Sequence, residues 1–163
     1  MAVQAITSLY VAVASATSGG TAPGGAVPPT GAVALTSPVD ISQWVTAVES
    51  GGEVDAVDAN TFGSGGYSTT VAGIVKGKLD LSIYDDYAAG AIHALLGPNG
   101  SIAKQGQYFF VEIRPTSAAR SASNPGWLAK VIHLGSTTSM KVGAVPEFAL
   151  SVGTSGAFGE LIA

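Results

Sequence analysis

Between Lys78 and Tyr84 the chain reads Lys-Leu-Asp-Leu-Ser-Ile-Tyr, with apolar and polar residues in strict alternation. Successive side chains of a strand point to opposite faces. This run therefore puts Leu79, Leu81 and Ile83 on one face and Lys78, Asp80, Ser82 and Tyr84 on the other. A helix would scatter the three apolar residues around its circumference, so Lys76 to Tyr84 is a half-buried strand. A sheet with one dry and one wet face is an antiparallel sheet. The rest of the chain must supply its partners, and 22 glycines and 8 prolines in 163 residues rule out a helical bundle, because each costs about 1 to 3 kcal/mol in a helix interior.

Further strands are expected at Tyr108–Arg114, with Phe109, Val111 and Ile113 inward, at Trp127–Leu134, at Ser139–Val145, and at Glu147–Val152 with Phe148, Leu150 and Val152 inward. Val3–Ala14 mixes β-branched and small residues and suits an exposed strand. One helix is expected, Tyr87–Leu96, opened by Asp85 or Asp86 and closed by Gly97-Pro98, with Ala88, Ile92, Leu95 and Leu96 as its apolar stripe. After Ser37-Pro38, Asp40 suits the cap of a short helical turn through Ile41, Trp44, Val45 and Val48, and a strand over Trp44–Val48 fits equally. The expected fold is mainly β: two packed antiparallel sheets, sandwich- or barrel-like, with one flanking α-helix.

Thr17–Gly31 is an uncharged Gly/Pro/Thr/Ser stretch of connector composition. Residues 1–35 therefore read as an N-terminal arm or extended hairpin, and residues 36–163 as a single β-rich domain. Glu49–Gly66 reads as a long loop, acidic first and Gly-rich later. No 20- to 50-residue repeat is evident.

Charge is scarce and uneven. Only 11% of the residues are charged and the formal net charge is −4. Residues 1–75 carry Asp40, Glu49, Glu53, Asp55 and Asp58 and no Lys or Arg; all seven bases follow from Lys76 onward. A weakly charged skin tolerates close neighbours, and segregated charge suits contacts between copies. The acidic balance argues against gripping nucleic acid through its phosphates. With no cysteine there is no disulfide, thiolate site or Cys nucleophile. No apolar run reaches the roughly 18 residues of a membrane helix, and the first 16 residues lack the basic start of a secretory signal.

Catalytic constellations are missing too. His93 and His133 have no companion at metal-ligand spacing, and His93 suits the C-terminal turn of its helix. Asp55, Asp58 and Asn60 do not have calcium-loop spacing. Gly63-Ser64-Gly65-Gly66 lacks the pattern of a phosphate loop, and Asn99-Gly100-Ser101 is first a turn. The expectation is a non-enzymatic protein without cofactor or metal, whose chemistry lies in its surfaces.

Three segments carry a family resemblance. Asp40-Ile41-Ser42-x-Trp44-Val45-x-x-Val48-Glu49, then Val54-Asp55-Ala56-Val57-Asp58-Ala59-Asn60-Thr61-Phe62-Gly63-Ser64-Gly65-Gly66-Tyr67, then Leu79-Asp80-Leu81-Ser82-Ile83-Tyr84-Asp85-Asp86-Tyr87 resemble the major tail tube proteins of long-tailed, siphovirus-type bacteriophages. The resemblance covers about residues 39–97. It implies a sandwich-like subunit that self-assembles as hexameric rings, stacked into a tube through which DNA is ejected. Its partners would be itself, other phage tail proteins and DNA in transient, non-specific passage, with no membrane insertion; its place would be the virion tail, assembled in the host cytoplasm. Under this reading Asn60, Thr61, Phe62, Gly63, Ser64, Gly65, Gly66 and Tyr67 form the loop between subunits or rings. Glu49, Glu53, Asp55, Asp58 and Asp80 take lumen or inter-ring positions, and the arm clasps a neighbour.

The same composition fits a capsid decoration protein or a tail completion (terminator) protein. It also fits, in another class, a carbohydrate-binding module that stacks sugars on Trp44, Tyr67, Tyr108 and Trp127.

Overall fold

The computed structural model describes residues 9–24, 29–58, 70–156 and 159–161; along 50–58, 70–78 and 159–160 it is the backbone that is described. Among the described residues, ten strands and one short helix follow in the order β1 (Tyr10–Ala14), β2 (Ala16–Ser18), β3 (Ala34–Thr36), β4 (Val39–Asp40), β5 (Val45–Asp58), β6 (Thr70–Tyr84), α1 (Ile92–Leu96), β7 (Tyr108–Arg114), β8 (Gly126–Ser139), β9 (Glu147–Thr154) and β10 (Gly159–Leu161). Eight of the strands form one antiparallel sheet of order β4-β1-β7-β8-β9-β6-β5, with β10 beside the start of β8; β2 and β3 form a second, two-stranded sheet. The fold is mainly β, as expected, and it is not a closed barrel.

Both faces of the large sheet bear on apolar layers. On the first face, Val11, Val13, Leu79, Leu81, Ile83, Phe109, Val111, Ala129, Val131, Phe148 and Leu150 form the main core, capped by Ile92, Leu95 and Leu96 of α1. The alternation read from the sequence sets this face: Leu79, Leu81 and Ile83 are buried while Asp80, Ser82 and Tyr84 are exposed. On the second face, Ala12, Ala14 and Leu128 pack under Val33 and Leu35 of the β2–β3 hairpin and under Leu161. That hairpin covers only the β1, β7 and early β8 part of the second face.

Three expectations are corrected. Residues 10–14, assigned to an arm, form a core strand paired with β7 along its whole length, because Val11 and Val13 face one apolar layer and Ala12 and Ala14 the other; residues 16–36 take the hairpin alternative and fold back on the sheet, joined by the Ala16–Thr36 and Thr21–Thr30 pairings, and residues 1–8 lie outside the described residues. Glu49–Asp58, read as a loop, is strand: β5 pairs with β6 from Val45 to Asp58, and the glycines Gly51 and Gly52 lie inside the ladder opposite Lys78 and Gly77. Ser139–Val145 is not a strand; β8 ends at Ser139, and a turn containing Gly143 at φ 81° leads into β9.

The helix is shorter than its apolar pattern suggests. Asp86 Oδ1 accepts the Ala88 N–H at 2.9 Å, an Asx turn that competes with helix. Gly90 then takes φ 78°, so α1 starts only at Ile92. Its exit is as expected, with the Gly97 N–H bonded to the His93 carbonyl.

Candidate functional site: an acidic sheet face

The part of the second face left uncovered by the hairpin is built from one strand parity. In β6, Asp80, Ser82 and Tyr84 are exposed; in β9, Glu147, Ala149 and Ser151 are exposed. Register brings them side by side, with Ser82 opposite Ala149 and Tyr84 opposite Glu147. In β8 the pairing shifts between His133 and Gly135, a bulge that takes up Leu134. The bulge reverses parity, so Thr137 and Ser139 join the exposed face opposite Ala149 and Glu147, while Thr138 turns inward opposite Phe148. In β5, Ala47 and Glu49 lie opposite Ser82 and Asp80.

This face is made of small and hydroxyl side chains with three acids, Glu49, Asp80 and Glu147. No base of the described side chains lies on it. Lys130 is held over the Tyr108 ring at 4.6 Å, beside the hairpin. Arg114 stacks on Tyr10 at 4.2 Å, and Arg120 Nε is 2.7 Å from Glu112 Oε1, a buried pair under the hairpin where Arg120 also donates to the Val33 carbonyl. Lys104 and Lys141 are exposed in loops outside the sheet. The five bases whose side chains are described thus sit in covered structure or in loops; Lys76 and Lys78 lie on β6, with Lys78 at the same strand parity as Asp80.

Glu49 and Asp80 are direct register partners. Like charges facing each other across a ladder are unfavourable, by about 1 kcal/mol or less at such a wet separation. Shallow grooves of ≈ 290 Å³ beside Thr46, Tyr84 and Glu147, and of ≈ 540 Å³ beside Asp80, Gln105, Leu134 and Ser151, run across the face. Both are open to solvent, and among the described residues no three His, Cys, Asp or Glu side chains converge as a metal site would require.

Of the five acids singled out in the sequence, the structure brings Glu49 and Asp80 together on this face. Glu53, Asp55 and Asp58 fall farther along β5, with Glu53 opposite Lys76 and Asp58 opposite Thr70. The loop Asn60–Tyr67 lies outside the described residues. Glu147 was missed, although its signal was present: it shares the parity of the polar residues in a strand whose inward residues were identified.

A second cluster was also missed. Asp85, its side chain fully buried, accepts from Thr138 Oγ1 at 3.0 Å and from the Asp86 N–H at 3.0 Å. His93 Nδ1 lies 3.3 Å from Asp85 Oδ1, at ion-pair distance but off hydrogen-bond geometry. The spacing of eight residues hid this pair, because it depends on the turn ahead of α1. Asp86 receives the Ala88 N–H and the Trp44 indole N–H at 3.1 Å, and these two bonds hold its carboxyl below the usual aspartate value. His133, buried in β8, meets the Leu96 carbonyl at 2.8 Å and ties the end of α1 to the sheet. These contacts anchor α1 to the dry face. Trp44 and Trp127, considered above as sugar platforms, are half-buried against the core.

No family model matches the sequence, and no curated protein does. Solved structures do match in shape. A chain of the SPP1 tail tube superposes with a TM-score of 0.53 at 12% identity, covering 94% of this chain and 75% of that one. This chain has the tail-tube fold. A chain of the anti-feeding prophage baseplate, in a structure with 6-fold symmetry applied, superposes with a TM-score of 0.58 at 13% identity, covering 99% of this chain and 97% of that one. At such identities the likeness is one of fold. The tail-tube fold here carries a helix on the dry face of the sheet and an acidic, uncovered region on the other.

Proposed function

We propose that the protein is a structural subunit of a phage virion that self-assembles as hexameric rings, stacked into a tail tube, with the acidic sheet face lining the lumen. The observation that carries this reading is the composition of that face. Three acids, Glu49, Asp80 and Glu147, set among small hydroxyl side chains form a surface that repels phosphates and offers them few contacts, so DNA slides past it. The tail-tube fold and the sixfold setting of the baseplate neighbour support the arrangement.

The open ladder edge of β5 suits joining to the next copy, since an exposed strand edge is a ready pairing template. The segment Asn60–Tyr67, with Glu53, Asp55 and Asp58 on the strand leading to it, contacts an adjacent subunit or ring. Other tail proteins bind the ends of the stack, and assembly takes place in the host cytoplasm before the tail joins the virion.

Electron microscopy of the purified protein at rising concentration tests this. Hexameric rings or hollow tubes are expected. Discrete trimers, or a chain that stays monomeric at high concentration, would overturn it.

A further inference from the structure

Seven large apolar side chains are exposed among the described residues, and five of them collect at one end of the sheet. Tyr84 ends β6; Tyr87 follows, its hydroxyl 3.9 Å from the Met140 sulfur; Met140, Val142 and Val145 belong to the turn between β8 and β9. Val142 has full exposure, 108% relative to the free residue, and Met140 69%. Singly such residues are ordinary, but gathered at a sheet end they mark a contact surface. Lys141 is the one charged residue of the turn from Met140 to Pro146.

The opposite end of the same strands has the complementary character. β6 runs from Thr70 to Tyr84, so its two ends lie roughly 46 Å apart at 3.3 Å per residue. Among the described residues, β6 pairs with β9 over Leu81–Tyr84, and from the Gly51–Lys78 row outward β5 and β6 pair with each other alone. Along that stretch the pairing is that of a two-stranded ribbon, a form that is marginal in water without a further surface to lie on. Its outer rows are Val54–Val75, Ala56–Ala72 and Val57–Val71. Beyond the Glu53–Lys76 row it carries two acids, Asp55 and Asp58, and no base.

We propose that the apolar rim of Tyr84, Tyr87, Met140, Val142 and Val145 is the seat for the β5–β6 ribbon of a second copy, with Lys141 set against the acids of the ribbon. The inference rests on the tail-tube reading and names the receiving surface of its axial contact. Apolar meets apolar, Lys141 meets the two acids of the ribbon's outer rows while Lys76 and Lys78 lie farther in, and the two surfaces lie at opposite ends of one set of strands. A contact between different surfaces of identical copies is head-to-tail, and where its repeat runs along the strand direction instead of turning back on itself it builds a stack.

The test uses the full chain and two variants, read by electron microscopy and by the concentration at which tubes form. Val142→Ser with Val145→Ser alters only exposed positions; it is expected to leave rings intact and to raise the concentration needed for tubes by about tenfold or more. Lys141→Glu is expected to do the same at low salt, and adding Asp55→Lys and Asp58→Lys to that chain restores tube growth. Tubes that grow from both variants as from the parent overturn the proposal, as does a folded variant that loses its rings, because the rim would then serve a lateral contact. A parent chain that forms neither rings nor tubes overturns the tail-tube reading itself, a result distinguishable from failure of the rim alone.

Discussion

If the open sheet face acts by refusing phosphates, reversing its charge must create a DNA-binding surface of predictable strength. Replacing Glu49, Asp80 and Glu147 by lysine moves the formal net charge from −4 to about +2 and puts three ammonium groups on one face. Each copy then contacts at most about three phosphates, so log K should fall against log salt with a slope near −2.7. Between 50 and 200 mM salt that slope predicts a loss of affinity of about 40-fold. The assay is fluorescence anisotropy of a short labelled duplex titrated with unassembled protein at several salt concentrations. The parent chain should show no salt-sensitive binding, and a Gln triple variant, neutral at the three positions, none either. Tubes assembled from the lysine variant should retain duplex DNA that parent tubes release. Parent protein that binds duplex with a comparable slope would refute the reasoning, and so would a lysine variant whose slope stays near zero, since the three positions would then not form one accessible surface.

Three further outcomes follow from the packing. Phe148→Ala removes a side chain only 1% exposed between the sheet and α1 and should cost about 3 to 5 kcal/mol in urea unfolding. Glu112→Gln leaves Arg120 buried without its carboxylate at 2.7 Å; a loss of about 3 kcal/mol is expected, together with faster proteolysis in the β2–β3 hairpin, because Arg120 also holds the Val33 carbonyl. Asp86 is stabilised as the anion by the Ala88 and Trp44 N–H donors, so its carboxyl is lower in the folded than in the unfolded chain. Its contribution is therefore present above the ordinary aspartate value and disappears as pH falls through the folded one. Unfolding midpoints of Asp86→Asn should accordingly fall less steeply than those of the parent on the acid side of about pH 4.

The period-two alternation made the dry face legible, because the sheet imposes the same parity on every residue that faces the core. Leu79, Leu81 and Ile83, Phe109 and Val111, and Phe148 and Leu150 all fall where alternation put them. Glycine composition misled where pairing decided the conformation: Glu49–Asp58 looks like a loop, yet it belongs to the fourteen-residue strand β5, which runs in a ladder with β6. Residues 10–14 misled in another way, since both of their faces are buried and no alternation remains to be read. The pairing of Asp85 with His93 depends on the turn at Asp86 and Gly90, and the exposure of Thr137 on the extra residue at Leu134. A one-residue bulge reverses every later position of its strand, and pattern alone does not locate it. Of the candidate surface, Glu49 and Asp80 were legible as acids, but their meeting across one row required the register.

That row bears on why the chain carries so little charge. The charged residues of the covered half are placed for stability: Glu112 between Arg120 and Arg114, Arg114 on Tyr10, and Lys130 on Tyr108. The open half sets Glu49 against Asp80 across one row of the β5–β6 ladder. Glu49 and Asp80 set like charges across one row, and a lysine at Glu49 would set unlike charges there instead. Stabilising Glu49→Lys at low salt, with the gain fading as salt rises, would therefore separate two explanations. Stability improved at the expense of DNA release from tubes assigns the pair to the conduit. Stability improved with release unchanged would remove Glu49 from the lumen and leave the acidity of the face to Asp80 and Glu147.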